Sequence, residues 1–268
     1  MAEQEMSEEA APRRGFRWSH LLLGVLLVAL VGGAFWLKST RTPVTRSTTP
    51  GTTPAATAAE STQALLARGI REHNAGANDA AMELYHRVLQ REPGHAQAHY
   101  NLGQIYNTRG EYAKAQWEYE ATLKAEPQST EARLNLGVVL YRQRQFAASA
   151  EQFRQVLQAS PKHPLALFNL GVSLLELGEP DQAIQSLTAS LREDPKRVDA
   201  HYYIGLAQER QRRLPEAKAA LQKATELNPR YTAAYVALAR VYSAQGEQRL
   251  AQEASAKAAE LDPRLKKR

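Results

Sequence analysis

The sequence contains no cysteine, few aromatic residues and no large excess of either charge. Among its 268 residues, aromatic side chains make up 7% and the formal net charge is only +6. The absence of cysteine excludes disulfides, thiol catalysis and cysteine-ligated zinc or iron–sulfur sites. The basic residues are interspersed with acidic ones and form no basic stripe, so the sequence does not predict a nucleic-acid-binding surface.

The sequence also lacks the common motifs of catalytic sites. It has no glycine-rich phosphate loop, no nucleophile elbow and no paired-carboxylate pattern. His95 and His99 are four residues apart, but Ala96 and Gln97 stand where a metalloprotease helix needs its glutamate. No further metal ligands accompany the two histidines. We therefore predict that the chain is not an enzyme and that it needs no metal or cofactor.

One long apolar run lies near the N-terminus, after a polar tail at residues 1–20. Residues 21–37, LLLGVLLVALVGGAFWL, carry no charge over 17 positions. As a helix this run would span about 25 Å, close to the thickness of a bilayer's hydrocarbon core. Trp18, Phe35 and Trp36 flank the run as aromatic residues do at membrane interfaces. We predict a transmembrane helix that acts as an uncleaved signal anchor.

Two alternatives and the orientation of this segment stay open. Gly32 and Ala34 suit a cleaved signal peptide, and the Arg13-Arg14 pair resembles part of a twin-arginine export signal. Three basic residues lie near each end of the run, so their distribution does not fix the orientation. Because a single N-terminal span usually acts as an export signal, we expect the C-terminal domain in the periplasm or another exported compartment, with the cytoplasm not excluded.

The segment at residues 38–61 is rich in Thr, Pro and Ala and cannot build a core. Its composition predicts a disordered tether between the apolar run and the rest of the chain. Such a tether would hold the next domain near the membrane while letting it move.

Prolines then recur at a constant interval of 34 residues, at positions 93, 127, 161, 195, 229 and 263. A fixed period of this length is the signature of a repeat protein. With each proline at repeat position 32, the period defines six units: 62–95, 96–129, 130–163, 164–197, 198–231 and 232–265. Only a basic tail, residues 266–268, follows the last unit.

Further positions keep the same period and differ in residue size. Position 8 is small in every unit: Gly69, Gly103, Gly137, Gly171, Gly205 and Ala239. Position 20 is also small: Ala81, Ala115, Ser149, Ala183, Ala217 and Ala251. Position 24 is large except in the last unit: Tyr85, Tyr119, Phe153, Leu187, Leu221 and Ser255. Position 15 is glycine in four units: Gly76, Gly110, Gly178 and Gly246.

This pattern predicts two antiparallel helices in each unit. Small residues at positions 8 and 20 let the two backbones approach, and the large residue at position 24 fills the space beside them. Glycine at position 15 suits a turn with a left-handed residue, and proline at position 32 cannot continue the second helix. Each helix pair leaves an apolar face uncovered, so neighbouring pairs must stack into a solenoid.

The repeated residues resemble the tetratricopeptide repeat family. The second unit matches best, with Leu102-Gly103, Tyr106, Ala115, Tyr119 and Pro127, whereas His99 at position 4 and Thr122 at position 27 depart from the pattern. The resemblance covers residues 62–265 and implies an all-α, right-handed α-solenoid. The first unit is degraded, with Arg68 at position 7 and Glu72 at position 11, as an end repeat exposed to solvent is expected to be.

The resemblance also implies that the first helices of successive units line a concave groove. Position 6 is asparagine in three consecutive units: Asn101, Asn135 and Asn169. An amide both donates and accepts hydrogen bonds, so three of them could clamp the backbone of an extended peptide. The alternative is that these asparagines are solvated residues of the family pattern. In the last two units Tyr203 and Ala237 replace asparagine, which would end the ladder.

Large apolar residues at position 5 would adjoin these amides: Leu66, Tyr100, Leu134, Phe168, Tyr202 and Val236. They suit either the apolar side chains of a bound segment or packing between neighbouring helices. Arg210 and Arg240 are candidate contacts for a carboxylate. The basic residues with which some family members hold a chaperone's C-terminal carboxylate are missing from positions 2 and 6, so that partner is not expected.

Together these features predict a membrane-tethered scaffold whose groove binds a protein or peptide segment. Its role would be to assist the assembly or maturation of an envelope complex. The alternative is a structural platform that self-associates through an incompletely covered end and has no peptide in its groove.

Overall fold

The computed structural model describes residues 60–267. Within this range it contains twelve α-helices and no strand. The predicted transmembrane helix at 21–37, its signal-peptide alternatives and nearly all of the 38–61 tether lie outside the described residues. No helix in the described range is long and apolar enough to cross a membrane. The helices are α1 (Thr62–Asn74), α2 (Asn78–Arg91), α3 (Ala96–Thr108), α4 (Tyr112–Ala125), α5 (Thr130–Arg142), α6 (Phe146–Ala159), α7 (Pro164–Glu176), α8 (Pro180–Glu193), α9 (Val198–Arg210), α10 (Leu214–Leu227), α11 (Thr232–Ala244) and α12 (Gln248–Leu261), followed by a 3-10 helix at Pro263–Lys267.

The helices form six hairpins that repeat with the period of the sequence. In every unit the first helix occupies positions 1–13 and the second occupies positions 17–30. The two helices of each hairpin pack on one another, and each even-numbered helix packs on the odd-numbered helix that follows it. This arrangement confirms the predicted all-α class and the predicted stacking of helix pairs.

The turn between the two helices requires a left-handed residue at position 15. The glycines there have φ between +74° and +82°. In the third and fifth units the same position holds Arg144, with φ of +63°, and Arg212, with φ of +60°. An L-residue with a side chain adopts this conformation at a cost of about 1 kcal/mol. The turn geometry is therefore kept where the glycine is missing.

Replacing Arg212 by glycine is expected to raise the free energy of unfolding by roughly 0.5–1 kcal/mol, because the left-handed strain is removed. The Arg212 side chain is exposed, so little packing is lost. Urea unfolding of the variant measures the gain. The reciprocal change Gly178→Arg should lower stability by a similar amount, and equal stabilities for both variants would contradict the assignment of strain to this position.

The small residue at position 8 packs directly against the large side chain at position 24 of its own hairpin. A Cβ atom added to Gly103 would lie 2.7 Å from Cε1 of Tyr119, and one added to Gly171 would lie 2.6 Å from Cγ of Leu187. Both large side chains are fully buried. The predicted reason for glycine at this position, close approach of the two helices, is confirmed.

Position 4 carries a histidine or an arginine in three units, and each one contacts the carbonyl of the proline at position 32 of the preceding unit. His99 Nε2 lies 2.8 Å from the Pro93 oxygen, and Arg133 donates to Pro127 at 2.6 Å. His201 Nε2 lies 3.4 Å from the Pro195 oxygen. These carbonyls follow the end of a helix and need donors. The departure of His99 from the family pattern therefore has a structural role.

The two ends of the array differ in character. On α1, Arg68 at position 7 and Arg71 at position 10 are exposed, where later units bury aliphatic residues or, in one case, Ser173. At the other end α12 extends from Gln248 to Leu261, and the 3-10 helix that follows brings Leu265 back against it. The first hairpin thus ends in a charged face, whereas the last ends in a face lined with small residues.

Candidate partner-binding face

The odd-numbered helices form one continuous side of the array, which we call the inner face. α5 contacts α7, α7 contacts α9 and α9 contacts α11 directly, in addition to packing on the even-numbered helices. Side chains from neighbouring odd helices consequently meet. Asn135 contacts Tyr100, and Tyr203 contacts Phe168, in each case across a boundary between units.

The three asparagines at position 6 occupy different environments. Asn101 is 6% exposed and lies beside Tyr85, whose pKa is raised by burial to about 12 and lowered in part by the amide. Asn169 is also 6% exposed. Asn135 is half-buried and donates a hydrogen bond from Nδ2 to the Tyr100 hydroxyl at 3.1 Å. Only Asn135 thus presents a partly accessible amide in the structure, and a ligand-binding role stays a prediction for all three.

Tyr100 and Leu134 complete a patch around Asn135. Both side chains are half-buried, so part of their apolar surface faces solvent. The Tyr100 ring rests on Tyr119, with ring centroids 5.9 Å apart. Burial raises the pKa of Tyr100, so its hydroxyl stays protonated near neutral pH. We call Tyr100, Leu134 and Asn135 the amide patch, because it combines one amide with two apolar surfaces.

A second group of predicted residues, Phe168, Tyr202 and Tyr203, comes together on α7 and α9, and Tyr231 joins it. The ring centroids are 5.8 Å apart for Phe168 and Tyr203, 5.2 Å for Tyr202 and Tyr203, and 5.3 Å for Tyr202 and Tyr231. Phe168 and Tyr203 are buried, whereas Tyr202 and Tyr231 are half-buried. We call these four residues the aromatic cluster. Its two half-buried rings are the part that a ligand could reach.

Charged groups surround the aromatic cluster. The guanidinium of Arg197 lies 5.0 Å from the centroid of Phe168, and the carboxylate of Asp199 is hydrogen-bonded to Tyr231. Burial, reinforced by Asp199, raises the pKa of Tyr231 far above its ordinary value, and burial does the same for Tyr203. The phenols therefore remain neutral hydrogen-bond donors. Tyr231 at position 34 was not predicted as a site residue, because the repeat pattern gives no role to that position.

The two predicted arginines are already paired. Arg240 binds both carboxylate oxygens of Glu209, at 3.0 Å and 2.7 Å. Burial opposes the charge of Arg240, but the Glu209 carboxylate raises its pKa overall. Arg210 donates to the carbonyl of Leu175 and lies 3.9 Å from Glu176. Both side chains join neighbouring units, and a bound carboxylate would have to compete with these acceptors.

The described residues contain no candidate metal site. Between residues 60 and 267, no three side chains of His, Asp or Glu converge in a way that could hold a metal ion. His95 accepts a hydrogen bond from the Ala98 amide as the N-cap of α3, and His99 points elsewhere, towards Pro93 and Glu118. The two histidines that are four residues apart are thus not brought together.

Comparison with known proteins agrees with this architecture. Sequence models of the tetratricopeptide repeat match residues 73–134, 109–164, 168–232 and 232–265. A search of curated protein sequences finds no significant match. Among solved structures, MamA from Desulfovibrio magneticus RS-1 is 24% identical with a TM-score of 0.59, and the alignment covers 63% of this chain and 95% of MamA.

Two further structures show the same fold at lower identity. Pseudomonas aeruginosa PilF is 19% identical with a TM-score of 0.62, covering 75% of this chain and 92% of PilF. YrrB, described as a TPR protein with an unusual peptide-binding site, is 19% identical with a TM-score of 0.55, covering 67% and 92%. Because the matched repeats make up more than half of the sequence and the hairpins keep the same 34-residue period, the chain belongs to the tetratricopeptide repeat family.

Proposed function

We propose that this chain is a protein-interaction scaffold whose inner face binds an extended segment or a subunit of a partner protein. The observation that carries the proposal is the presence of two partly open patches on successive odd helices. The amide patch and the aromatic cluster each combine half-buried rings or aliphatic groups with a hydrogen-bonding group. Apolar side chains of a bound segment would contact the rings, and Asn135 would bind its backbone.

The same proposal includes a tether to a membrane. Residues 21–37 would form the anchor and residues 38–61 the flexible connection, with the repeats on the exported side. A tethered groove meets a membrane-bound partner at a high effective concentration, so modest affinity suffices. We propose that the chain in this way assists assembly or maturation of an envelope complex. Reporter fusions placed after Thr62 test the orientation, and an active cytoplasmic reporter there would contradict the exported placement.

Photocrosslinking tests the binding face directly. A photoreactive amino acid is placed at Leu134 on the inner face and, as a control, at the exposed Lys223 on α10 of the full-length chain in intact membranes. We expect one or a few proteins to crosslink from Leu134 and to be identified by mass spectrometry, with no equivalent products from Lys223. Equal yields and identical products from the two positions would contradict the proposed face.

Changing Asn135 to alanine is expected to reduce this crosslinking severalfold, because the amide no longer binds the partner's backbone. The loss of the hydrogen bond to Tyr100 should cost only about 1 kcal/mol of stability. The matched control is Gln222→Ala on α10, since Gln222 makes an equivalent amide-to-tyrosine hydrogen bond to Tyr242 at 3.0 Å. Crosslinking that is unchanged by Asn135→Ala, or reduced equally by both variants, would assign Asn135 a structural role alone.

A further inference from the structure

An open groove lies at the C-terminal end of the array, between α11 and α12. Its volume is about 860 Å³. Small side chains form most of its walls, among them Ala239, Ser243, Ala244, Ser255 and Ala258. Leu265, from the terminal 3-10 helix, lines one part of the groove. Ser243, Ala244 and Ser255 are exposed, so much of this surface is uncovered within the described chain.

The groove lies on the surface of the last hairpin that corresponds to the surface on which the next hairpin packs in each earlier unit. Position 12 of the fifth unit, Glu209, binds Arg240 of the following unit, and position 21 of the second unit, Gln116, accepts from Gln143 of the third. The equivalent positions in the last unit, Ser243 and Gln252, line the groove. The surface is therefore of the kind that receives an odd-numbered helix elsewhere in the array.

Two residues make this end more open than the corresponding face of the other hairpins. In the first five units a large buried side chain at position 24 lies over the glycine at position 8. The last unit has Ser255 and Ala239 at these positions, and Ser255 is exposed. In the other hairpins the large residue at position 24 fills this space. In the last hairpin the space is open, so an incoming helix could fill it with its own large side chains.

The chemistry of the occupant follows from the five helices that cover equivalent faces. Each buries alanine at position 3, a large aliphatic residue at position 7 and, in three of the five, a β-branched residue at position 10. The α5 helix shows the pattern with Ala132, Leu136 and Val139, which are 0%, 4% and 0% exposed. These residues are spaced i, i+4 and i+7 and so lie on one side of a helix.

A second copy of this chain does not supply such a helix at its free end. On α1 the equivalent positions are Ala64, Arg68 and Arg71. Stacking α1 on the groove would bury two guanidinium groups among lining residues that include Arg240 and no carboxylate, which is costly because the charges would have no partner there. We propose that the groove at the C-terminal end binds an amphipathic α-helix of a different protein, with a small residue at i, Leu at i+4 and Val or Ile at i+7.

The test uses a helix-stabilised, fluorescent peptide with the α5 sequence, Thr130–Arg142, because an isolated helix of this length is only marginally stable. Its binding to the purified full-length chain is followed by fluorescence anisotropy. We expect saturable binding that Ser255→Arg weakens at least about tenfold, since a charge then faces the apolar side of the peptide. The matched control Ala256→Arg, on the same helix outside the groove, should leave binding unchanged. A peptide carrying Leu136→Asp should not bind.

Three results would overturn the proposal. The first is an absence of peptide binding, or binding that Ser255→Arg and Ala256→Arg affect equally. The second is a dimer, detected by light scattering, that Ser255→Arg dissociates, because a second copy would then occupy the groove. The third is a crosslink from a photoreactive residue at position 255 to residues 1–59 of the same chain, which would make the occupant an internal segment.

Discussion

Replacing Glu118 by alanine is expected to lower the free energy of unfolding by about 1–3 kcal/mol, because it leaves a buried ring nitrogen of His99 without its hydrogen-bond partner. Glu118 and His99 are 5% and 4% exposed, and Glu118 Oε2 lies 2.7 Å from His99 Nδ1. Urea unfolding, followed by circular dichroism, measures the change, and a loss below about 1 kcal/mol would contradict the prediction.

The double variant His99→Leu/Glu118→Leu provides the matched control. The first unit holds Leu65 and Leu84 at the equivalent positions, 0% and 4% exposed, so an apolar pair fits this site. Replacement of a buried polar pair by apolar residues of similar size is often neutral or stabilising. We expect the double variant to recover most of the stability that Glu118→Ala loses. A double variant as unstable as the single one would mean that the contact with Pro93 dominates.

The pH dependence of this comparison has a defined sign. Burial raises the pKa of Glu118 above 4.5, and His99 opposes the rise only in part. A protonated Glu118 can donate to Nδ1 while Nε2–H donates to the Pro93 carbonyl. The folded chain thus holds the Glu118 proton more tightly than the unfolded chain. The stability that this contributes is fully present below pH 4.5, the ordinary pKa of a glutamate. It is lost as the pH rises through the pKa of Glu118 in the folded chain. As the pH rises through this range, the wild type should lose stability relative to the His99→Leu/Glu118→Leu variant.

Replacing Gly171 by leucine is expected to cost about 3 kcal/mol, because the new side chain overfills the crossing between α7 and α8. The added Cβ alone would lie 2.6 Å from Cγ of Leu187 and 3.1 Å from the carbonyl oxygen of Ala183. The better helix propensity of leucine returns about 1 kcal/mol at most. Thermal and urea unfolding of the variant measure the net loss.

The matched control for this change is Ala239→Leu, at the same repeat position in the last unit. Ser255 stands there in place of the large residue at position 24, and Ala239 borders the open groove. The leucine therefore has space, and we expect stability to change by less than about 1 kcal/mol. Similar losses from Gly171→Leu and Ala239→Leu would show that contact with position 24 does not decide the residue at position 8.

Much of the fold could be predicted from the sequence, because the residues that decide it recur within each unit. The glycine or alanine at position 8, the large residue at position 24 and the proline at position 32 interact within one hairpin or end it. Their spacing fixes the length of both helices, as the identical bounds in all six units show. The left-handed turns at Arg144 and Arg212 were predictable only from the period, since arginine itself does not favour them.

The candidate site was less predictable, because its contacts join different units. Asn135 binds Tyr100, 35 residues earlier, and Arg240 binds Glu209, 31 residues earlier. Such partners depend on the tilt between neighbouring hairpins, which the period does not specify. The sequence consequently predicted three equivalent amides, whereas Asn101 and Asn169 are buried in the structure and Asn135 is half-buried. It also missed the role of His99, since its hydrogen-bond partners, Pro93 and Glu118, lie in two different units.

The helix contacts described above join helices of the same hairpin or of adjacent hairpins, and this has a mechanical consequence. A small rotation at each of the five junctions between hairpins adds up along the array, so the inner face can widen or narrow without any hairpin losing its own core. The interunit pairs, such as Arg240 with Glu209, are the points that resist this bending. A bound segment that bridges several units would stiffen the domain as a whole and would favour one curvature over the others.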